Sequence, residues 1–556
     1  MNFVFVSPQF PHVYWQFCAA LRRDGARVLG IGDTPYDQLP PELRTSLDEY
    51  YWVYDLEDYD EVYRAVAYFS FHYGKPDWIE SNNEHWLPLD ARLREDFNVA
   101  RGPRPGEVAR WQSKAAQKPL YAAAGVPTAR QTSLTTFDET RWFIGEMGHY
   151  PVFAKPEVGV GAAGTRILTC DDDLRALLAD HGDVPYVVEQ LVSGGICSWD
   201  AVLDSRGEPL FENQEEFPPS MADVVHGGLD LAYLSRPDVD PELSRLGRAV
   251  VRSFGLTSRF VHLEFFRLDR DRPGLGARGD YVGLEVNVRP PGGTTPEMMN
   301  YAHAVNVYQI WADMVCFDER RVEADGTDAL CVYASRRDAH RYAHAHEEVL
   351  AEFGGAIVSH GRVPDALSDD MGNYQYTARL ATRAEAGEFV AFVTRGSMRK
   401  MEIRRADEKD LAGVHNLLGQ VLEVHAAGRP DIFRSGTRKY TDEELLALFR
   451  DDTHPVFVAV DDDGTVLGHA FCEVQDYRES NSWQPIVSLY IDDICVDEAH
   501  RGRHVATALY QHVIAFAREL GCHNVTLNVW ECNPGARAFY DAMGMTPLKT
   551  CLERVL

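Results

Sequence analysis

The chain has 556 residues, 45% hydrophobic and 25% charged, ordinary values for globular protein, and this length predicts three to four domains. Lys and Arg number 55 against 85 Asp and Glu; the formal net charge of −30 repels a polyanion and argues against a nucleic-acid partner. No run of 18 apolar residues predicts a membrane span, and ten scattered cysteines without a Cys-x-x-Cys pair, behind a start that enters a strand-like run at once, predict reduced thiols and a cytoplasmic location.

The first hundred residues alternate between strand and helix patterns. Apolar strand-like runs lie at 2–7, 27–31, 51–54 and 77–80, with helical periodicity at 15–23 and 61–73. Such alternation predicts a parallel sheet. A helical stretch over 107–125 carries Pro119 inside it, which predicts a break there. Strand signals follow at 151–156, 165–168, 186–192, 199–204, 259–268 and 281–288. Helical pattern resumes over 295–314, and 330–395 has the pattern of a small α+β unit ending in a strand at 389–394. The polar break Arg395-Gly396-Ser397 separates this from a fresh amphipathic block that begins at Met401.

Gly159-Val160-Gly161-Ala162-Ala163-Gly164 spells GxGxxG, but Thr165–Leu168 behind it has a strand pattern where a dinucleotide fingerprint requires a helix. Strand, glycine loop, strand is a hairpin whose backbone N–H groups suit phosphates. Lys155 enters the loop and can pair with phosphate oxygens. Further on, His262-Leu263-Glu264 and Glu285-Val286-Asn287 carry carboxylates and an amide. Glu285 and Asn287, two apart in a strand, share a face, and Arg289 lies two further on. Two carboxylates and an amide oxygen are hard ligands suited to Mg²⁺.

This ordered set resembles the ATP-grasp superfamily, in its carboxylate–amine ligase and biotin carboxylase-like branch, over about residues 1–395. The resemblance implies a Rossmann-like lobe at 1–105, an ATP-grasp region at 106–320 and an α+β subdomain at 321–397. It implies that Lys114, Lys155, Gly159, Gly161 and Gly164 bind ATP phosphates and that Glu189 and Leu191 hold the adenine. Glu264, Glu285 and Asn287 would ligate Mg²⁺ or Mn²⁺, and Arg289 would steady an acyl phosphate or carboxylate. Asp200 lies where related enzymes place an acidic ribose contact. The implied reaction passes the γ-phosphoryl of ATP to a carboxylate, and an amine then displaces phosphate. The substrates are small carboxylic acids and amines, amino acids among them, and such ligases are commonly homodimers.

From residue 401 strand patterns lie at 401–404, 455–459, 466–473, 487–496 and 524–530, and helical ones at 409–424 and 505–520. The loop Arg501-Gly502-Arg503-His504 opens the last helix, whose freed N–H groups attract an anion. This block, 398–556, resembles the GCN5-related N-acetyltransferase (GNAT) family. On that resemblance Arg501, Gly502, Arg503, Val505 and Ala506 cradle the pyrophosphate of acetyl-CoA. Asn533 and Tyr540 match a later motif, in which Tyr540 would protonate the leaving thiolate. His504 replaces the central glycine of the loop. Asp492, Asp493 and Glu531 are candidate bases. The expectation is an α/β and α+β multidomain enzyme that couples an ADP-forming C–N ligase to an acetyl-CoA-dependent N-acetyltransferase. The alternatives are a GNAT block that senses acyl-CoA without turnover, and an acid–CoA ligase fused to an acetyltransferase.

Overall fold

The computed structural model describes residues 1–147, 150–158, 164–217, 229–396, 401–461, 463–501, 505–530 and 532–554. The chain forms two compact units, Met1–Gly396 and Ser397–Leu556.

The first unit opens on four parallel strands, β1 (Asn2–Val6), β2 (Arg27–Gly32), β3 (Glu49–Trp52) and β4 (Trp78–Glu80), in the order β3-β2-β1-β4. Side chains alternate across this sheet. Phe3 and Phe5 pack with Phe17 and Trp311 on one face, and Val4 and Val6 pack with Val62, Val66 and Phe69 on the other. Both faces are covered, as a parallel sheet requires.

A small antiparallel sheet follows: β5 (Gln131–Ser133), β6 (Val152–Pro156), β7 (Arg166–Leu168) and β8 (Tyr186–Gln190), ordered β5-β8-β6-β7. β6 and β7, which flank the glycine-rich segment, pair antiparallel, with Ala154 opposite Arg166.

The largest layer has eight strands. These are β9 (Gly194–Leu203), β10 (Pro209–Phe217), β11 (Ala232–Arg236), β12 (Arg259–Leu268), β13 (Tyr281–Asn287), β14 (Leu330–Arg336), β15 (Ile357–Arg362) and β16 (Tyr374–Leu380). Their order is β13-β12-β9-β10-β11-β14-β16-β15. Alternation divides this sheet by chemistry. Cys197, Trp199 and Ala201 of β9 and Val261, Leu263 and Phe265 of β12 pack against Leu243, Leu246, Val250 and Phe254 of the helix Pro241–Phe254. That helix carries Gly247 over the Trp199 ring, where a Cβ would stand 2.4 Å from Cδ2. The residues between them, Ser198, Asp200, His262 and Glu264, form a polar opposite face.

The second unit is a five-stranded sheet ordered β17-β18-β19-β20-β21, from β17 (Glu402–Arg405), β18 (Val456–Val460), β19 (Val466–Asp476), β20 (Val487–Val496) and β21 (Asn524–Leu527). β20 and β21 are parallel and the other pairs antiparallel. The helix Leu411–Gly428 packs on one face and the helix Val505–Glu519 on the other.

Three expected elements differ. The 107–125 stretch breaks at Ser113, not at Pro119, because the Ser113 hydroxyl accepts from the Ala116 N–H and starts the helix Lys114–Ala123, which contains Pro119. The segment 389–394 is the end of a helix, Arg383–Thr394, started by Thr382 accepting from the Glu385 N–H. The helical stretch over 295–314 is two helices, Thr295–His303 and Val307–Phe317, parted by Ala304 at φ +48°.

Candidate functional site

On the polar face, register places the charged groups. Glu264 of β12 stands directly opposite Glu285 of β13, and His262 opposite Asn287. The next residue pairs skip one position, Phe265 facing Gly283, so Leu284 is an extra residue in β13. Such a bulge re-aims the side chains beside it. Across β9 the rows continue, Ser198 beside Glu264 and Asp200 beside His262. They run on into β10, where Glu215 faces Ser198 and Asn213 faces Asp200.

Two carboxylates opposed across a ladder repel each other unless cations sit between or beside them. Lys114 Nζ lies 3.1 Å from Glu285 Oε1. Lys155 Nζ lies 2.7 Å from Glu189 Oε1, and Lys118 Nζ lies 3.6 Å from the other Glu189 oxygen. Arg289 reaches back toward Glu84 of the first lobe, with Nε 3.9 Å from Oε2, and its Nη1 donates to the Pro290 carbonyl at 2.7 Å. Burial alone would raise the Glu264 carboxyl. The hydrogen bond and charge of His262, then Arg289 and Lys155, bring it below the usual carboxylate range. Glu264 therefore feels Lys155, Arg289 and His262 together, and stands in register with Glu285.

His262 is the hub of this face. Its Nδ1 bonds Asp200 and its Nε2 lies 3.1 Å from Glu264 Oε1. Burial opposes its charge, but Asp200 foremost, then Glu264, raises the imidazole to about 10. Asp200 is also held by Ser198 and Asn213. Asp200 thus orients His262 from inside the sheet. Glu84, Lys118 and Glu215 were not singled out in the sequence, where each is one more charged residue.

Glu189 is buried at the end of β8, and Leu191 is half-buried just beyond it. Gly164, the last glycine of the motif, has φ +71°, and its carbonyl accepts from the Tyr186 hydroxyl at 2.9 Å. Gly159 and Gly161 lie outside the described residues.

In the second unit, Phe471 faces Asp493 and Cys472 faces Ile491, so Asp492 is an extra residue in β20. The bulge sends the two aspartates to different places. Asp492 meets Lys439 Nζ at 2.8 Å near the surface. Asp493 lies 3.7 Å from Nε2 of the buried His469. Burial would raise Asp493, but the His469 hydrogen bond and charge, with Lys439 and His425, lower it. Tyr540, on the helix Pro534–Ala542, packs beside Tyr510; burial first and then the Asp493 charge raise its phenol. Tyr540 and Asp493 thus interact electrostatically. Asn533 caps the same helix, accepting from the Ala536 N–H at 3.1 Å. Arg501 is exposed after β20, Val505 is buried under the sheet at the start of its helix, and Ala506 is half-buried. Gly502, Arg503, His504 and Glu531 lie outside the described residues.

Residues 423–545 match the model of the acetyltransferase (GNAT) family. Streptothricin acetyltransferase of Streptomyces lavendulae is 28% identical over 162 residues, 26% of this chain and 80% of that one. An uncharacterized protein of Sinorhizobium fredii, y4rH, is 35% identical over 244 residues, 41% of this chain and 46% of that protein, so the chain spans less than half of that relative's length. Among solved structures, L-amino acid ligase from Bacillus licheniformis superposes with a TM-score of 0.51 at 13% identity, over 70% of this chain and 95% of the ligase. The N-terminal part of the chain has an ATP-grasp-like fold, and a GNAT domain lies at the C-terminus. Among the described residues no helix is long and apolar enough to cross a membrane.

Proposed function

We propose that the first unit is an ADP-forming carboxylate–amine ligase and the second an acetyl-CoA-dependent N-acetyltransferase. The observation that carries the ligase half is the cross-strand pair Glu264–Glu285, flanked by Lys114, Lys155 and Arg289. Glu264, Glu285 and Asn287 offer hard oxygen donors on one sheet face, a set that fits Mg²⁺ or Mn²⁺. When bound, the ion supplies charge neutralisation between the phosphate oxygens of ATP. Lys114 and Lys155 then exchange carboxylate partners for phosphates. Arg289 meets the negative charge that develops on a substrate carboxylate as it accepts the γ-phosphoryl, and holds the acyl phosphate until an amine displaces phosphate. The backbone of Glu189 and Leu191, at the end of β8, offers the adenine a donor and an acceptor. On this reading the unit comprises a Rossmann-like lobe at 1–105, a nucleotide-binding region at 106–320 and a C-terminal subdomain from 321 to its end at 396.

In the second unit the N-terminus of the helix Val505–Glu519, with Arg501 beside it, receives the diphosphate of acetyl-CoA. Burial keeps the Tyr540 phenol protonated, which suits a donor to the departing thiolate. Asp493, freed from the Lys439 pair that holds Asp492, is the base that takes the amine proton through water.

The test is a screen of amino-acid pairs with ATP and Mg²⁺, with ADP release and product mass followed with and without acetyl-CoA. Ligation with ADP release, and acetylation of an amine on addition of acetyl-CoA, are expected. A protein that consumes neither ATP nor acetyl-CoA with any pair would overturn the assignment. Acetyl-CoA that changes the ligation rate without being consumed makes the second unit a sensor.

A further inference from the structure

Glu215 is fully buried on β10, and among the described residues neither of its carboxylate oxygens has a hydrogen-bond partner. Its cross-strand neighbours are serines, Ser198 on β9 and Ser235 on β11. Either hydroxyl could serve it, yet both are turned away. Ser198 donates to Asp200 Oδ2 at 2.9 Å and Ser235 to Asn213 Oδ1 at 2.8 Å. The Asn213 amide donates to Asp200 instead. Among the described residues the cross-strand neighbours therefore leave Glu215 without a donor, although buried polar groups are paired as a rule.

What Glu215 faces instead is Asp200 and His262. One ligand atom from each of the three lies within 4.8 Å of the others, and all three residues are buried. Metal–ligand bonds of about 2.0 to 2.2 Å place ligands up to roughly 4.4 Å apart across an ion. The spacing of the three ligand atoms therefore matches that around a single ion.

We propose that Asp200, Glu215 and His262 form a second divalent-cation site, separate from the Glu264–Glu285–Asn287 set and independent of nucleotide. Two carboxylates with an imidazole favour a transition-series ion such as Mn²⁺ over Mg²⁺. The ion supplies Glu215 with the partner that the serines withhold, and takes the place of one His262 ring proton. Because the other ring nitrogen of His262 reaches Glu264, occupancy fixes the ring that orients a carboxylate of the neighbouring set. The site stands on the three side chains alone and does not depend on the ligase assignment.

The test is titration of the full chain, stripped of metal, with Mn²⁺ in the absence of nucleotide. Calorimetry should count one tight ion per chain in the wild type and in Glu285→Gln, with at least tenfold weaker binding in Glu215→Gln. The thermal midpoint should rise with Mn²⁺ in the first two and stay fixed in the third. Electron spin-echo spectra of the wild-type complex should carry ¹⁴N modulation from imidazole, which a set of oxygens lacks. That reading needs no variant and stands even where Glu215→Gln does not fold. No ion without nucleotide, equal affinity in Glu215→Gln, or a spectrum without nitrogen coupling overturns the proposal.

Discussion

Along β12 and β13 of the first unit, charged side chains face one another directly across one ladder, beside the bulge at Leu284, whereas the polar groups of the second unit come from separate elements, a bulged strand and two helix ends. The sheet-borne set is stiff. Opposed carboxylates are tolerable there only because Lys114, His262 and the neighbouring cations stand around them. Charge removal at one position therefore unbalances the rest. In the second unit Asp493 and Tyr540 lie on separate elements, Asp493 beside His469 and Tyr540 held by burial beside Tyr510, so a change at one leaves the other's frame in place. Where charges share a ladder, function and stability are coupled; where they meet across elements, they are separable.

Glu285→Gln breaks the first arrangement most deeply. It should cut ATP-dependent ligation by at least about 100-fold, measured as ADP release, and leave acetyl transfer unchanged. Tyr540→Phe probes the separable arrangement. It should lower acetyl transfer by about 100-fold with acetyl-CoA affinity retained, as a kcat effect in steady-state kinetics, and leave the thermal midpoint near wild type. Gly247→Ala presses a methyl into Trp199 on the apolar side of the same sheet. It should cost about 1–3 kcal/mol by urea unfolding of the first unit, with acetyl transfer untouched. His303 gives the smallest effect. Burial holds its imidazole down at about 4, with Nε2 3.0 Å from the Asn213 amide oxygen. The unfolded chain takes up that proton near 6.5 and the folded chain does not. Stability is thus full above 6.5 and declines as the pH falls toward 4, and His303→Gln should flatten that decline in melts across the range.

Much of the first unit is legible in the sequence because period-two alternation survives in it. Glu285 and Asn287 fall two apart, and Val261, His262, Leu263 and Glu264 alternate apolar and polar. The hub was not legible. Asp200 and His262 are 62 residues apart, and only the pairing of β9 with β12 brings them face to face. Glu215 hides in the acidic run Glu212–Glu216, where a solvated face is the ordinary outcome. Residues 389–394 form a short apolar run rich in Phe and Val, as strands do, yet the Thr382 cap and the Ala- and Glu-rich turn after it win a helix. Asp492 and Asp493 look equivalent in sequence; the bulge that separates them depends on pairing with β19.

The central claim is that a substrate carboxylate accepts phosphate on the polar face of the eight-stranded sheet. Its most direct measurement uses a carboxylic acid substrate labelled with ¹⁸O in both carboxyl oxygens, turned over with ATP and an amine. An acyl-phosphate route delivers one ¹⁸O to inorganic phosphate per amide formed, read by mass or ³¹P shift. Unlabelled phosphate, or label appearing in AMP with pyrophosphate released, would contradict it.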